Sequence, residues 1–182
     1  IWRAPTDNDR KVKNRWFDEN YHKMHNKVYE TKIDGNVICV KGALSSVARE
    51  PFMRYTVTYT FFADGRIDVA FDGDFDDSRT FIPRLGFEFK TEEKNFEYFG
   101  YGPYESYVDM HHGSKMGMFE SCTEKEYVDY IKPQEHGNHF GAKYLELGEF
   151  TFESNQGFEF NVSDYSKEEL GSKLHNFELV KD

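Results

Sequence analysis

The stretch Met53-Arg54-Tyr55-Thr56-Val57-Thr58-Tyr59-Thr60-Phe61, followed after Asp64-Gly65 by Arg66-Ile67-Asp68-Val69-Ala70-Phe71-Asp72, decides the fold. In its first half Met53, Tyr55, Val57, Tyr59 and Phe61 fall on one side of an extended chain. Arg54, Thr56, Thr58 and Thr60 fall on the other. In its second half Ile67, Val69 and Phe71 alternate with Arg66, Asp68 and Asp72. Successive side chains of a strand point to opposite faces, so this period of two predicts a sheet with one buried face. Asp-Gly between two alternating runs is a strong hairpin signal.

Working outward, the same pattern recurs. Asp34-Gly35 divides Tyr29-Thr31-Ile33 from Val37-Cys39 and predicts a second hairpin. Leu85, Phe87 and Phe89 predict a strand that Pro83 is free to begin. Tyr144–Leu147 and Phe158–Val162 predict two more, joined past Asn155-Gln156-Gly157. Residues 96 to 118 mix aromatics with glycines and read as mostly loop. Two places read as helix. Over residues 10 to 25, Trp16, Phe17, Tyr21 and Met24 form a helical stripe, with Asp9 as its cap. Ser166-Lys167-Glu168-Glu169 fits a capping box. Regularly spaced strands and turns, with one or two short helices, point to an all-β antiparallel sandwich.

The chain has 182 residues, 38% of them hydrophobic and 18% aromatic, which suits a single domain with a real core rich in strands. Mean hydropathy is −0.79, and no apolar run is long enough to span a bilayer as a helix. The net charge of −10 argues against nucleic acid and anionic lipid as partners. Cys39 and Cys122 are far apart and lack a CxxC partner, so they read as reduced thiols. The first residue is Ile1, from which a piece of a longer protein is expected.

Asp72-Gly73-Asp74-Phe75-Asp76-Asp77 begins like a calcium loop but lacks the later glycine and bidentate glutamate, so it reads as an acidic turn. The pairs His22/His25 and His136/His139 and the doublet His111-His112 lack identifiable further ligands, so no metal site is assigned. Three loops are dense in polar groups: Arg3-Ala4-Pro5-Thr6-Asp7-Asn8-Asp9, Gly100–Tyr107 and Lys132–His139. Amides, carboxylates and an arginine beside tyrosines are the groups that recognise a sugar: polar partners for hydroxyls and a ring for its C–H face. The competing expectation is that these groups satisfy one another and their own loop backbones.

The same loops resemble the C-terminal, small-chain domain of family 2 β-galactosidases. Ile1-Trp2-Arg3-Ala4-Pro5-Thr6-Asp7-Asn8-Asp9 is similar to the family's [FI]-W-R-A-P-x-D-N-D. The segment Tyr98–Asp109 is similar to its G-x-G-P-x-E-x-Y-x-D, and Tyr130–His139 to its Y-x-x-P-Q-E-N-G-N, with His136 where the family usually has Asn. Asn161–Ser166 with Glu168, Glu169, Leu170 and His175 resembles a fourth segment, and all four occur in the family's order.

The resemblance implies a β-supersandwich of galactose mutarotase-like type. This domain packs against a (β/α)₈ barrel that hydrolyses terminal β-galactosides such as lactose with retention. Retention requires two carboxylates about 5–5.5 Å apart, and the family carries both, with a magnesium ion, in the barrel. No catalytic residue and no cofactor is therefore expected in this chain. Arg3, Asp7, Asn8, Asp9, Gln134, Glu135 and Asn138 are the residues expected to face the barrel or the sugar. An Arg3 pairing with Asp7 or Asp9 would make the first loop structural instead. The partners implied are the remaining domains of the parent, a galactoside and a further copy of the enzyme, in a cytoplasmic setting. The family's G-G-D-D-S-W loop has no counterpart here, so residues 1–182 are expected to be one domain lacking its C-terminal strands. Two other readings are a free-standing carbohydrate-binding domain and an aldose 1-epimerase-like enzyme. The latter would draw on Glu135, His136 and His139.

Overall fold

The computed structural model describes residues 1–181. The chain forms two compact units. The first comprises Ile1–Trp2 and Asp9–Leu85, and the second comprises Arg3–Asn8 and the chain from Gly86 onward. Each holds one four-stranded antiparallel sheet, so the fold is all-β with a few short helices, as its alternating patterns require.

In the first unit β1 (His25–Asp34), β2 (Val37–Ser45), β3 (Met53–Phe61) and β4 (Ile67–Phe75) form a meander in chain order. Both Asp-Gly turns fall where the sequence places them, with Gly35 at φ +57° and Gly65 at φ +91°, a region open to glycine at little cost. Asp72 and Asp74 lie within β4, paired with Thr56 and Arg54 of β3, so the acidic run belongs to a strand more than to a turn. The helix expected over residues 10–25 is broken. A 3-10 turn (Asp7–Lys11), α1 (Lys13–Asp18) and a second 3-10 turn (Tyr21–Lys23) replace it. Asn20 in the left-handed conformation stops α1, and Val12, not Asp9, occupies its N-cap. The stripe still does its work. Trp16 and Tyr21 are fully buried with Trp2, Leu44, Phe52 and Met53, and Met24 packs on this cluster. The indole of Trp16 donates to the Phe81 carbonyl at 2.9 Å, and the Tyr21 hydroxyl donates to the Thr80 carbonyl at 2.5 Å.

In the second unit β5 (Asn95–Gly102), β6 (Lys115–Cys122), β7 (Asn138–Leu147) and β8 (Phe150–Asn161) are ordered β6-β5-β7-β8. Phe96, Tyr98, Ala142, Leu145, Leu147 and Phe160 form its core. The segment 96–118 is thus loop over residues 103–114, as its composition suggests, but strand at both ends, in β5 and β6. Its glycines serve close packing, since a Cβ on Gly100 would stand 3.0 Å from the Ala142 Cα. Asn155-Gln156-Gly157 is not the β7–β8 turn. That turn is at Gly148-Glu149, with Gly148 at φ +60°. Register runs from Ala142–Phe158 to Tyr144–Glu153, so residues 155–157 are bulged out of β8. Leu85, Phe87 and Phe89 form no strand, because no backbone ladder reaches residues 81–90 among the described residues. All three side chains are exposed. The helix at the capping box is α3 (Lys167–Ser172), where Ser166 Oγ accepts the Glu169 backbone N–H. A four-residue helix, α2 (Thr123–Glu126), follows β6. Cys39 and Cys122 are unpaired and half-buried.

Candidate functional site

The second unit brings three polar segments together: Arg3–Asn8, the β5–β6 loop and the run leading into β7. The last of these is buried along its length, from Pro133 to His139. A buried polar run persists only where each group finds a partner. Here the partners come from the other two segments and from Glu126, Glu159 and Asn161.

Ser106 is the centre of the arrangement. Its backbone N–H donates to the Asn138 carbonyl at 2.7 Å, its hydroxyl to the Tyr101 carbonyl at 3.2 Å, and it accepts the Phe140 N–H at 3.0 Å. Asn138, 1% exposed, returns its amide N–H to the Ser106 carbonyl at 2.9 Å and to Glu159 Oε2 at 2.8 Å. Glu105 accepts the Tyr130 hydroxyl at 2.5 Å on one oxygen and the Gly137 N–H at 2.9 Å on the other. Gly137 sits at φ +69°, and a Cβ there would meet the Glu126 carbonyl at 2.9 Å. Burial, then the bond to Glu105, pushes the Tyr130 phenol up to about 12. Burial, followed by the charges of Glu135 and Glu105, raises Tyr107 still further. Both phenols are neutral at ordinary pH, and Tyr130 is the one that donates.

Arg3–Asn8 docks on this run. Gln134 Oε1 accepts the Asp7 N–H at 3.0 Å, and the Glu135 N–H donates to the Ala4 carbonyl at 3.1 Å. The structure therefore joins Arg3, Asp7 and Asn8 to the neighbourhood of Gln134, Glu135 and Asn138, all within one unit. Gln134, Glu135 and Asn138 are buried, Arg3 is half-buried, and Asp7 and Asn8 are exposed. Asp9 falls in the first unit, buried in the 3-10 turn, where its carbonyl accepts the Val12 N–H at 2.9 Å.

Two further features have no signal in the sequence. His139 is 0% exposed and its Nε2 meets Glu126 Oε2 at 2.9 Å, while Ser121 donates to the other Glu126 oxygen. Nothing in the sequence ties Glu126 to His139, thirteen residues on. His136, also buried, donates from Nδ1 to the Gln134 carbonyl at 2.8 Å, and its own carbonyl accepts from the Asn161 amide. A carbonyl only accepts, so the proton at His136 Nδ1 is fixed by its partner. A shallow recess of about 480 Å³ is lined by Tyr104, Glu105, Asp109, His111 and His112. It has the rings and carboxylates of a sugar site, but Glu105 is spent on Tyr130 and Gly137. Among the described residues, no group of three or more His, Cys, Asp or Glu side chains is arranged to hold a metal ion.

The fold defines an all-β chain built on two antiparallel sheets, with its polar loops gathered in the second unit. Over residues 1–182 the sequence matches the family described as Beta galactosidase small chain, and the chain belongs to that family. It is 37% identical to a beta-galactosidase of Actinobacillus pleuropneumoniae over 185 residues, which covers 98% of this chain and 18% of that protein. A beta-galactosidase of Staphylococcus xylosus is 30% identical over 186 residues, covering 96% and 19% respectively. One from Kluyveromyces lactis is 29% identical over 183 residues. The chain thus spans less than a fifth of the length of the first two relatives.

Proposed function

We propose that this chain is an architectural domain of a β-galactosidase, one that hydrolyses terminal β-galactosides with retention through carboxylates carried elsewhere in the polypeptide. The observation that carries the reading is the convergence just described. The family-matching segments are consumed by one another as a polar scaffold, and they leave Asp7 and Asn8 exposed at its surface. Glu105 and Glu135 do not suit a retaining pair. Glu105 has both oxygens engaged and Glu135 is buried. A nucleophile and an acid/base need open access to the anomeric carbon. The magnesium expected of the family belongs with those remote carboxylates.

On this reading the scaffold buttresses the barrel. Asp7 and Asn8, with Arg3 beside them, face the barrel or the sugar, while Gln134, Glu135 and Asn138 fix the loop that presents them. The test compares two proteins on a nitrophenyl β-galactoside. The full-length polypeptide that carries this chain should release nitrophenol and form the β-anomer of galactose first. The isolated chain should release none. An Asp7→Ala/Asn8→Ala change should raise KM in the full-length enzyme without lowering the Tm of the isolated chain. Hydrolysis by the isolated chain, or none by the full-length polypeptide, overturns the reading. Galactose-dependent amide shifts in the isolated chain would favour a sugar-binding module instead.

A further inference from the structure

The sheet of the first unit has two unlike faces. Cross-strand register puts Ile33, Ile38, Tyr59 and Val69 in one row, Thr31, Val40, Val57 and Phe71 in the next, and Phe61 opposite Ile67. These rows share a side with Leu44, Met53 and Phe75, which pack with the Trp2–Trp16–Tyr21 cluster. The opposite side carries Glu30, Lys41, Thr56 and Asp72 in one row and Lys32, Cys39, Thr58 and Ala70 in another. Glu30 is bridged there by Lys32 and Lys41 at 3.0 and 3.4 Å. The sheet is therefore built with one face for water and one for burial.

The burial face is covered at its Leu44, Met53 and Phe75 end and at Val57 in its middle, which is 5% exposed, but not at its other end. Beyond Leu44, Met53 and Phe75 it continues as Ile33 at 72% exposure, with Phe61, Ile67, Val69 and Phe71 each more than a third exposed. Contiguous apolar surface that extends a core and is rimmed by polar groups marks an interaction surface. We infer that this face is the seat of an apolar layer supplied by the remaining polypeptide of the longer protein. This rests on the β-galactosidase reading and adds to it which side of the chain meets its partner.

Two observations choose that occupant. The relatives of this chain are more than five times its length, so most of the polypeptide that must pack on it lies outside residues 1–182. The patch also runs without a break into the folding core, and it carries no charged side chain in the rows of Ile33 and Thr31. That is the character of an obligate interface, which resembles a domain core cut in half.

The test is the pair Ile33→Lys/Val69→Lys, with Ala70→Lys on the polar face as control. Both are made in the isolated chain and in the full-length polypeptide. The isolated chain should keep its Tm and bind less of a hydrophobic dye. The full-length protein should lose Tm and activity together, and the control should leave both proteins unchanged. An unchanged full-length Tm overturns the inference, because the face is then open in the whole protein. Unfolding of the isolated variant also overturns it, because the chain then covers the face itself. So does loss of a dimer of the isolated chain with the full-length protein unaffected, because the occupant is then a second copy. Tm reports the face whatever the enzyme hydrolyses. A wild-type full-length protein without β-galactosidase activity would sink the functional reading and leave this result standing.

Discussion

Truncating Asn138 to alanine tests the polar scaffold at its most buried point. The side chain is 1% exposed and gives two hydrogen bonds, at 2.9 Å to the Ser106 carbonyl and at 2.8 Å to Glu159. Ser106 is itself fully buried, so water cannot replace the donor that its carbonyl loses. A buried acceptor left without its partner costs about 1–3 kcal/mol. The bond to Glu159 counts for less. That glutamate is exposed and is resolvated on release, so about 0.5–1 kcal/mol is appropriate. Together, Asn138→Ala should cost about 3 kcal/mol, equivalent to about 6–12 °C in Tm for a chain of this size.

The assay is urea unfolding of the isolated chain, read by near-UV tyrosine circular dichroism. Both tryptophans, Trp2 and Trp16, lie in the first unit, so their fluorescence does not report the site. The midpoint should fall with the slope unchanged. Asn138→Asp should cost more than the alanine, because it sets a carboxylate against Glu159 and the Ser106 carbonyl. A loss below about 1 kcal/mol for Asn138→Ala would refute the account, for it would mean that the buried run does not depend on these partners.

Two other outcomes follow from the same structure. Tyr21→Phe removes the 2.5 Å bond to the Thr80 carbonyl and should cost about 1–2 kcal/mol by tryptophan fluorescence. Burial, then Glu19, pushes the Tyr21 phenol from 10 up to about 12. The folded state therefore favours the protonated form, and that stabilisation is full below pH 10 and lost as pH rises from 10 through 12. The phenylalanine variant should show a flatter alkaline limb. Gly157→Ala should cost about 1–2 kcal/mol through backbone conformation alone. Gly157 sits at φ +87°, while the nearest atom to a new Cβ is an ordinary 3.4 Å away.

The period-two runs and the Asp-Gly pairs made the first sheet legible down to its turns, because local geometry sets both, but they did not show that Ile33, Ile67, Val69 and Phe71 on its apolar face stay exposed. The second sheet was harder to read. Gly100 and Gly102 look like loop residues, yet they lie in β5, where a side chain at Gly100 would meet the Ala142 backbone. Asn155-Gln156-Gly157 has the composition of a turn but serves a bulge, because the turn nearer β7 is already made at Gly148. The helix over residues 10–25 failed for a local reason. Trp16 and Tyr21 must both reach one core, and the chain meets that demand with short turns around a left-handed Asn20. At the site, family-like motifs located the loops. They could not reveal that Glu126 partners His139, because that pairing depends on how α2 and β7 are placed.

The buried run Pro133–His139 bears on the architectural role proposed for this chain. Gln134, Glu135, His136, Asn138 and His139 are all withdrawn from water, which is destabilising unless every polar group is matched. The matches come from segments far away in the chain: Ala4 and Asp7, Glu105 and Ser106, Glu126, Glu159 and Asn161. An apolar loop of the same shape would be simpler to stabilise, but it would also slide. Hydrogen bonds accept one geometry, so a network of them fixes where the Arg3–Asn8 segment lies. Exposed Asp7 is thereby held by its backbone N–H, and Asn8 beside it is exposed as well. A domain that supplies no catalytic carboxylate still affects a reaction if it holds a wall of the site in place, since small misplacements of bound groups are costly to rate. The polar interior of this loop supports the proposal that the chain acts in this way.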